Sequence, residues 1–585
     1  MSEAFWKKFR ELVHGPDRVA AHRVENDAIR RAEAAVMPAE FRREQERLRA
    51  TPARTHRLGR FTEGASREED FLVDLHELLA HQLVLGDTGS GKTYQTIQEL
   101  IALARKQVIA SAVILDMKGE LAELLTDQAF PALAASLPPA DADALLRRIV
   151  VIDPFSSTHL PPLNVLVRDP GQPLAIQARD VAECFEAATE TDVSVRMETI
   201  LDWVLRLVIE TGGSFLTVRR ALQEPAVLEG LVRTAKDPDT IRYFLTRYPS
   251  EPKTSKLALL SRLDRFLALP MTQLSLGAKS CVDFDRLLED HITIVSLGKA
   301  PAGLQSVARF FAMVVFTRFV RAIFRRPPRA QGFASLIVAD EWQVALNAAL
   351  AKEFEAILTL ARSRGVHLWL SNQQLAQLDR HGATLKSVVL GLTANQVFFR
   401  LADEDCRALK RIFPVTGAVR RKGSPGNAAG SPFLTPAEET EARAVAAARL
   451  PNRDGYWNDR RRSWGAIPFR SATVHLPPSS SLPPQYVARA KRGVIIFTVA
   501  DLEQMRDDED RRLDRLAAGP VRAQPKPAAP VAAPAPAPAP APAVPPPSPG
   551  PAARPGRAPK VPQLPAPQGA PAPRRPPRGG LPPIR

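Results

Sequence analysis

The sequence predicts an α/β protein built on a parallel sheet, with an all-helical insertion, a helical N-terminal arm and a disordered Pro/Ala-rich C-terminal tail. Three observations predict it. Seven short apolar, β-branched runs alternate with helical stretches between Gln82 and Phe399. From Asp169 to Leu288 the periodicity is helical, with almost no strand signal. After Gly519 the chain is nearly all Pro, Ala and basic residues, a composition without the apolar side chains of a core.

Taken in order, residues 1–70 are rich in Arg, Glu and Ala and are read as charged helices. The opening MSEAFWKKFRELVHG sets Phe5, Phe9, Leu12 and Val13 close to one helical face. That face either packs on its own domain or docks on a partner or a membrane surface. The runs Gln82 to Leu85, Ala112 to Leu115 and Ile149 to Ile152 fall in residues 71–168, the first part of the α/β domain. Residues 169–288 form the helical insertion. His291 to Leu297, Ser335 to Ala339, Val366 to Leu370 and Gln396 to Phe399 fall in the second part, 289–415. Unbroken apolar runs of this length suit strands buried on both faces, which is the setting of a parallel sheet. Residues 416–518, an accessory region with Trp457 and Trp464, carry no assignable fold, and 519–585 are the tail.

Bulk properties narrow the function classes. The net charge of +16 points to a polyanionic partner, nucleic acid or an anionic surface. Nine cations in the tail, with no acidic residue among them, account for much of it, so the rest of the chain carries +7. Cys184, Cys281 and Cys406 are too few and too scattered for a disulfide framework or a Cys-rich metal site, which suits a reducing cytoplasm. The apolar stretch Phe310 to Thr317 falls well short of the ~20 residues that cross a bilayer. The N-terminus lacks the apolar region and cleavage site of a signal peptide, so no integral membrane segment is expected.

The sharpest signal is GDTGSGKT, comprising Gly86, Asp87, Thr88, Gly89, Ser90, Gly91, Lys92 and Thr93. It follows the strand QLVL and opens the helix that begins with Tyr94, which is the P-loop (Walker A) context. Glycines there let backbone N–H groups approach phosphates, Lys92 reaches the β- and γ-phosphates, and the Thr93 hydroxyl ligates Mg²⁺. The expected ligands are therefore ATP and Mg²⁺. A second apolar strand ends in Asp340 and Glu341, the Walker B form: Asp340 holds Mg²⁺ through its water shell and Glu341 polarises the attacking water. Alone, such a pair is more often a solvated strand end; paired with the P-loop it reads as catalytic. A third strand ends in Asn372, Gln373 and Gln374, where Gln373, with its neighbours as substitutes, is the candidate sensor of the γ-phosphate.

Six segments in order, Gly86 to Thr93, VILDMKGE at Val113 to Glu120, VVIDPF at Val150 to Phe155, VADEWQ at Val338 to Gln343, LARSRG at Leu360 to Gly365 and SNQQLAQL at Ser371 to Leu378, resemble the type IV coupling proteins of conjugation and their FtsK/HerA-type relatives. The resemblance covers roughly residues 80 to 410. It implies a RecA-like P-loop domain with a helical insertion, a hexameric ring, and ATP-driven pumping of DNA. It also implies that Asp116 and Lys118 match the family's Asp-Pro-Lys-Gly segment, with Met117 in place of proline. A strand-end turn explains the same two residues equally well. The membrane-spanning N-terminal segment common in coupling proteins is missing from the pattern, so recruitment to the inner membrane through partners, or a soluble branch, is expected.

Ring ATPases complete a neighbour's site with arginine, for which Arg362 and Arg364 are the candidates, with Arg400 behind them. RRKG at Arg420 to Gly423 is a candidate DNA-contacting loop. The favoured role is delivery of DNA, with or without a relaxase, to a type IV secretion channel. The rivals are a soluble HerA-type translocase of repair or phage defence, and an ATP-dependent assembly switch that moves no DNA.

Overall fold

A computed structural model describes residues 39–519 apart from 64–67, 157–158, 190–193, 301–302, 329–333, 345–347, 380–382, 414, 416–433, 463 and 494–496. The N-terminal amphipathic stretch, the RRKG segment and the Pro/Ala-rich tail lie outside the described residues.

In chain order the strands are β1 (Thr55–Phe61), β2 (Asp70–Asp74), β3 (Gln82–Leu85), β4 (Ile109–Asp116), β5 (Ile149–Ile152), β6 (His159–Leu160), β7 (Ile292–Ser296), β8 (Ala334–Asp340), β9 (Val366–Asn372), β10 (Asn395–Phe398), β11 (Asp454–Asp459), β12 (Ile467–Ser471) and β13 (Phe497–Thr498). Eleven of them form one sheet in the order β2-β1-β12-β11-β10-β3-β9-β8-β4-β7-β5. The seven strands from β10 to β5 run parallel and are the seven runs read from the sequence. Their side chains are buried on both faces, as in β3, β7, β8 and β9, where every residue is buried. That is why these runs read as continuous rather than alternating apolar segments.

Beyond β10 the sheet continues with antiparallel β11, β12, β1 and β2. The expectation of helices throughout residues 1–70 is corrected here. Ala39–Ala50 is a helix, but Thr55–Phe61 is a strand of the sheet. In THRLGRF, Leu58 and Phe61 are buried while the exposed Arg57 and Arg60 pair with Asp70 of β2. This charged, solvent-facing side masked the strand. β11 and β12 likewise give part of the previously unassigned region 416–518 a place at the sheet.

One face of the sheet is covered by the P-loop helix, Lys92–Arg105, which also buries a polar strip. Gln82 Nε2 donates to Glu99 Oε2 at 2.7 Å and Gln95 donates to the other oxygen. Gln98 Nε2 reaches the Leu58 carbonyl at 3.0 Å and the Ser471 hydroxyl at 3.3 Å, tying the helix to β1 and β12.

Between β5 and β7 the chain is helical, from Leu174–Thr189 to Phe284–Asp290, with β6 the only strand among the described residues. The insertion packs on the long helix Gln305–Arg325, where Arg321 forms a two-pronged pair with Asp180 at 3.0 Å. This helix holds the apolar stretch Phe310 to Thr317, and its Phe310, Phe311 and Phe319 are fully buried. No helix among the described residues is long and apolar enough to cross a membrane.

The insertion is also clasped from the far end of the sequence. β13 pairs with β6, and the following helix, Val499–Ala518, lies along the insertion. Thr217 Oγ1 donates to Glu509 Oε1 at 2.6 Å, Arg220 pairs with Asp514 at 2.7 Å, and Leu513 is fully buried.

Candidate active site

Parallel strands carry the loops at their C-terminal ends to one edge, and the register decides which loops meet. Asp116 of β4 is level with Asp340 of β8, Asp340 with Ser371 of β9, and Leu85 of β3 with Asn372. Four segments far apart in sequence therefore share one edge: the P-loop after Leu85, Asp116 to Gly119, Asp340–Glu341, and Asn372–Gln373. Ligand sites of open α/β sheets form at this edge.

In the P-loop, Gly89 and Gly91 take positive φ values of 73° and 119°. A Cβ at Gly91 would lie 3.3 Å from Arg453 Cγ, so both backbone conformation and space favour glycine. Lys92 is buried, and its Nζ donates to the Gly86 carbonyl at 2.5 Å and the Asp87 carbonyl at 3.1 Å. Burial lowers the Lys92 ammonium below its ordinary value; Glu341, Asp340 and Asp87 oppose this and Lys118 reinforces it. Lys92 thus lies within electrostatic reach of both the Asp340 and the Glu341 carboxylates. Thr93 is the second residue of the P-loop helix, and Tyr94, half exposed, follows it. A cleft of about 690 Å³ opens here, lined among others by Gly89, Thr93, Tyr94, Glu120, Asn452 and Arg453.

The Asp340 carboxyl is pushed up to about 6, chiefly by burial, with Asp116 and Glu341 adding to the push and Lys92 opposing it. Glu341 shifts the other way. Its φ of 53° is rare and costly for a residue with a side chain. The carboxylate is held from three sides: Oε1 accepts from Lys118 Nζ and Gln373 Nε2, both at 2.9 Å, and Oε2 accepts from Gln343 Nε2 at 2.6 Å. Burial works to raise the carboxyl, but these donors outweigh it and hold Glu341 below its ordinary value, ionised near neutral pH.

Of the three amides at the end of β9, only Gln373 touches Glu341 directly. Asn372 is buried and bridges instead: its carbonyl accepts from Trp342 Nε1 and its amide donates to Gln343 Oε1, both at 2.6 Å. Trp342, Asn372, Gln343 and Glu341 thereby form one connected chain of hydrogen bonds. Gln374 is exposed and its backbone N–H turns to the Gln377 side chain.

The arginines separate into two groups. Arg362 and Arg364 lie in the short turn Ala361–Arg364 before β9, at the opposite edge of the sheet. The six steps of β9 put them roughly 20 Å from their own P-loop, at ~3.3 Å per residue. Arg364 donates to the Arg326 carbonyl, and its guanidinium lies 5.8 Å from the Phe324 ring centre. Arg400, read as a reserve candidate for a neighbour's site, is instead bound to its own P-loop. Its Nε is 3.6 Å from Asp87 Oδ2 and its Nη1 donates to Asn452 Oδ1 at 3.0 Å.

Asn452 and Arg453 escaped the sequence reading. Arg453 has a φ of 72°, its N–H donates to the Ser90 carbonyl, and its own carbonyl accepts from Ser471 N–H, each at 2.8 Å. β11 and β12 thus clamp the loop that borders the P-loop, and the Asn-Arg dipeptide carries no motif that could have announced it. Lys118 was noted in the sequence, but its contact with Glu341 was not.

Residues 56–312 match the family model described as helicase HerA, central domain. That stretch of the chain is similar to the central domain of HerA-type helicases. The HerA-type match begins in β1, spans the P-loop, Asp116 to Gly119 and the insertion, and ends within Gln305–Arg325. Asp340, Glu341 and Gln373 lie beyond it and join the matched segment through β8 and β9. No curated protein sequence matches the chain. Among solved structures, the bacterial conjugative coupling protein TrwB, lacking 70 N-terminal residues, is 14% identical, with 70% of this chain and 88% of that chain covered and a TM-score of 0.44. TrwB in complex with ADP and Mg²⁺ is 13% identical over 71% and 89%, with a TM-score of 0.43. VirB4 of Thermoanaerobacter pseudethanolicus is 12% identical over 72% and 96%, with a TM-score of 0.44.

Proposed function

We propose that the chain is a Mg²⁺-dependent ATPase that forms a ring and moves DNA, in the role of a coupling protein that feeds DNA, alone or with a relaxase, to a type IV secretion channel. The observation that carries the ATPase reading is the convergence of Lys92 with Asp340 and Glu341 at one sheet edge, from positions about 250 residues apart. The HerA-type match of residues 56–312 supports the motor assignment.

In this reading the backbone N–H groups from Gly86 to Thr93 and the Lys92 ammonium hold the β- and γ-phosphates. The donor set fits Mg²⁺, which takes few protein ligands and keeps several waters: the Thr93 hydroxyl and Asp340 would hold it. When bound, the cation would supply positive charge to offset that of the phosphates. Glu341, kept ionised by Lys118 and its two amide donors, accepts a proton from the attacking water, and Gln373 links that carboxylate to the end of β9. The group that balances charge on the transferred phosphoryl comes from a neighbouring subunit, with Arg362 and Arg364 as the candidates because they sit at the edge remote from their own site.

The test is ATP hydrolysis by the purified oligomer with and without single- and double-stranded DNA, beside a native mass measurement. The expected results are Mg²⁺-dependent turnover stimulated by DNA, loss of turnover in Lys92→Ala, and a hexamer. Turnover indifferent to both forms of DNA would replace the motor by a non-translocating assembly switch.

A further inference from the structure

The Asp116–Gly119 loop is held with unusual rigidity for a strand-end turn. The Asp116 carboxylate accepts the backbone N–H groups of Lys118 and Gly119 at 2.9 Å and of Ala122 at 2.7 Å. On its other side the Lys118 carbonyl packs against Gly298, where a Cβ would lie 1.8 Å from that oxygen. The Lys118 backbone is therefore fixed, and what can move is the side chain. That side chain is 40% exposed, whereas its partner Glu341 is only 4% exposed. Lys118 also acts electrostatically on Lys92, so two ammonium groups flank the point where the P-loop faces the Walker B carboxylates.

We infer that Lys118 is a second cation for the terminal phosphate of a nucleoside triphosphate, and that it leaves Glu341 for that phosphate when ATP binds. The inference rests on the ATPase reading and deepens it. A terminal phosphate carries nearly twice the charge of a carboxylate, and lysine binds phosphate as a point charge. Glu341 does not depend on Lys118 to stay in position, because Gln343 and Gln373 each donate to it as well. On losing the lysine, Oε1 gains an open acceptor position while the carboxylate remains held. That open position is what a group receiving a proton from water requires. With Lys118 on Glu341 the base is occupied; with Lys118 on phosphate it is available. A nucleoside diphosphate has no γ-phosphate to draw the lysine away, so the same contact distinguishes the triphosphate from the diphosphate and couples substrate binding to activation of the base.

The experiment compares ATP and ADP affinity, each with Mg²⁺, in the full-length protein, Glu341→Gln, Lys118→Ala, Lys118→Arg and the Lys118→Ala/Glu341→Gln double variant, with steady-state hydrolysis alongside. Glu341→Gln weakens the tie on Lys118 and is expected to raise the ATP-to-ADP affinity ratio severalfold. Adding Lys118→Ala is expected to cancel that gain and lower the ratio about tenfold, which corresponds to ~1.4 kcal/mol. ADP affinity should stay within twofold, and Lys118→Arg should keep most of the discrimination. An unchanged ratio in Lys118→Ala overturns the inference, as does an equal loss of ATP and ADP binding, which would mean that the lysine only supports the shape of the loop. Binding separates this inference from the ATPase reading: wild-type protein that hydrolyses ATP with an indifferent Lys118 leaves the ATPase intact, whereas wild-type protein that never hydrolyses ATP sinks the ATPase while the ratio still reports on the lysine.

Discussion

Glu99 sits at the centre of the P-loop helix with no exposed surface, and its neighbours offer amides but no cation at hydrogen-bonding distance. Burial pushes its carboxyl from the ordinary 4.5 up to about 7, with Gln82 and Gln95 holding it from rising further. The folded protein thus binds the proton more tightly than the unfolded chain does. The linked stabilisation is fully present below pH 4.5 and is lost as pH rises through 7. The two values differ enough to make the loss about 3 kcal/mol at most, at 1.36 kcal/mol per pH unit. Glu99→Gln keeps the shape and removes the titration, but turns one donor toward another, at a cost of about 1 kcal/mol. The variant should therefore match or fall slightly below wild type at pH 5 and exceed it by about 2 kcal/mol at pH 8. Urea unfolding of both proteins at pH 5, 6, 7 and 8 reads this directly. Parallel pH profiles for the two proteins would refute the reasoning, since they would mean that Glu99 is ionised throughout or has ready access to water.

Glu341→Gln should retain ATP binding, measured by nucleotide fluorescence, while turnover falls by about 10²- to 10⁴-fold, the usual worth of a positioned base. If Arg362 and Arg364 act across a subunit boundary, oligomers mixed from Lys92→Ala and Arg362→Ala/Arg364→Ala chains should recover part of the ATPase that each lacks alone; no recovery at any mixing ratio would remove both arginines from that role. Leu513→Ala, which empties a fully buried position between the last helix and the insertion, should cost about 3 kcal/mol in urea unfolding with little change in nucleotide affinity.

Much of the sheet was legible because strands buried on both faces leave unmistakable apolar runs, and all seven parallel strands were read within a few residues of their ends. β1 and β2 were not, because arginines and aspartates occupy the solvent side of a sheet margin and imitate a charged helical segment. The meeting of the Gly86–Thr93 loop with Asp340 and Glu341 at one sheet edge was legible because each is a strand-end pattern local in sequence. Partnership was not. Lys118 and Glu341 are 223 positions apart, and only the adjacency of β4 and β8 brings them within reach. Arg400 showed the same limit: its sequence offered it in reserve for another subunit, and only the adjacency of β10 and β3 reveals that it lies beside Asp87 of its own P-loop.

A domain inserted into a loop is ordinarily joined to its host by two lengths of chain, which leave it free to swing about the line between them. Here a third length, returning through β13 to the helix Val499–Ala518, fastens the insertion at a separate point. The insertion's own two connections, to β5 and β7, neighbour each other at one end of the sheet, so the contact along Val499–Ala518 is what opposes that swing.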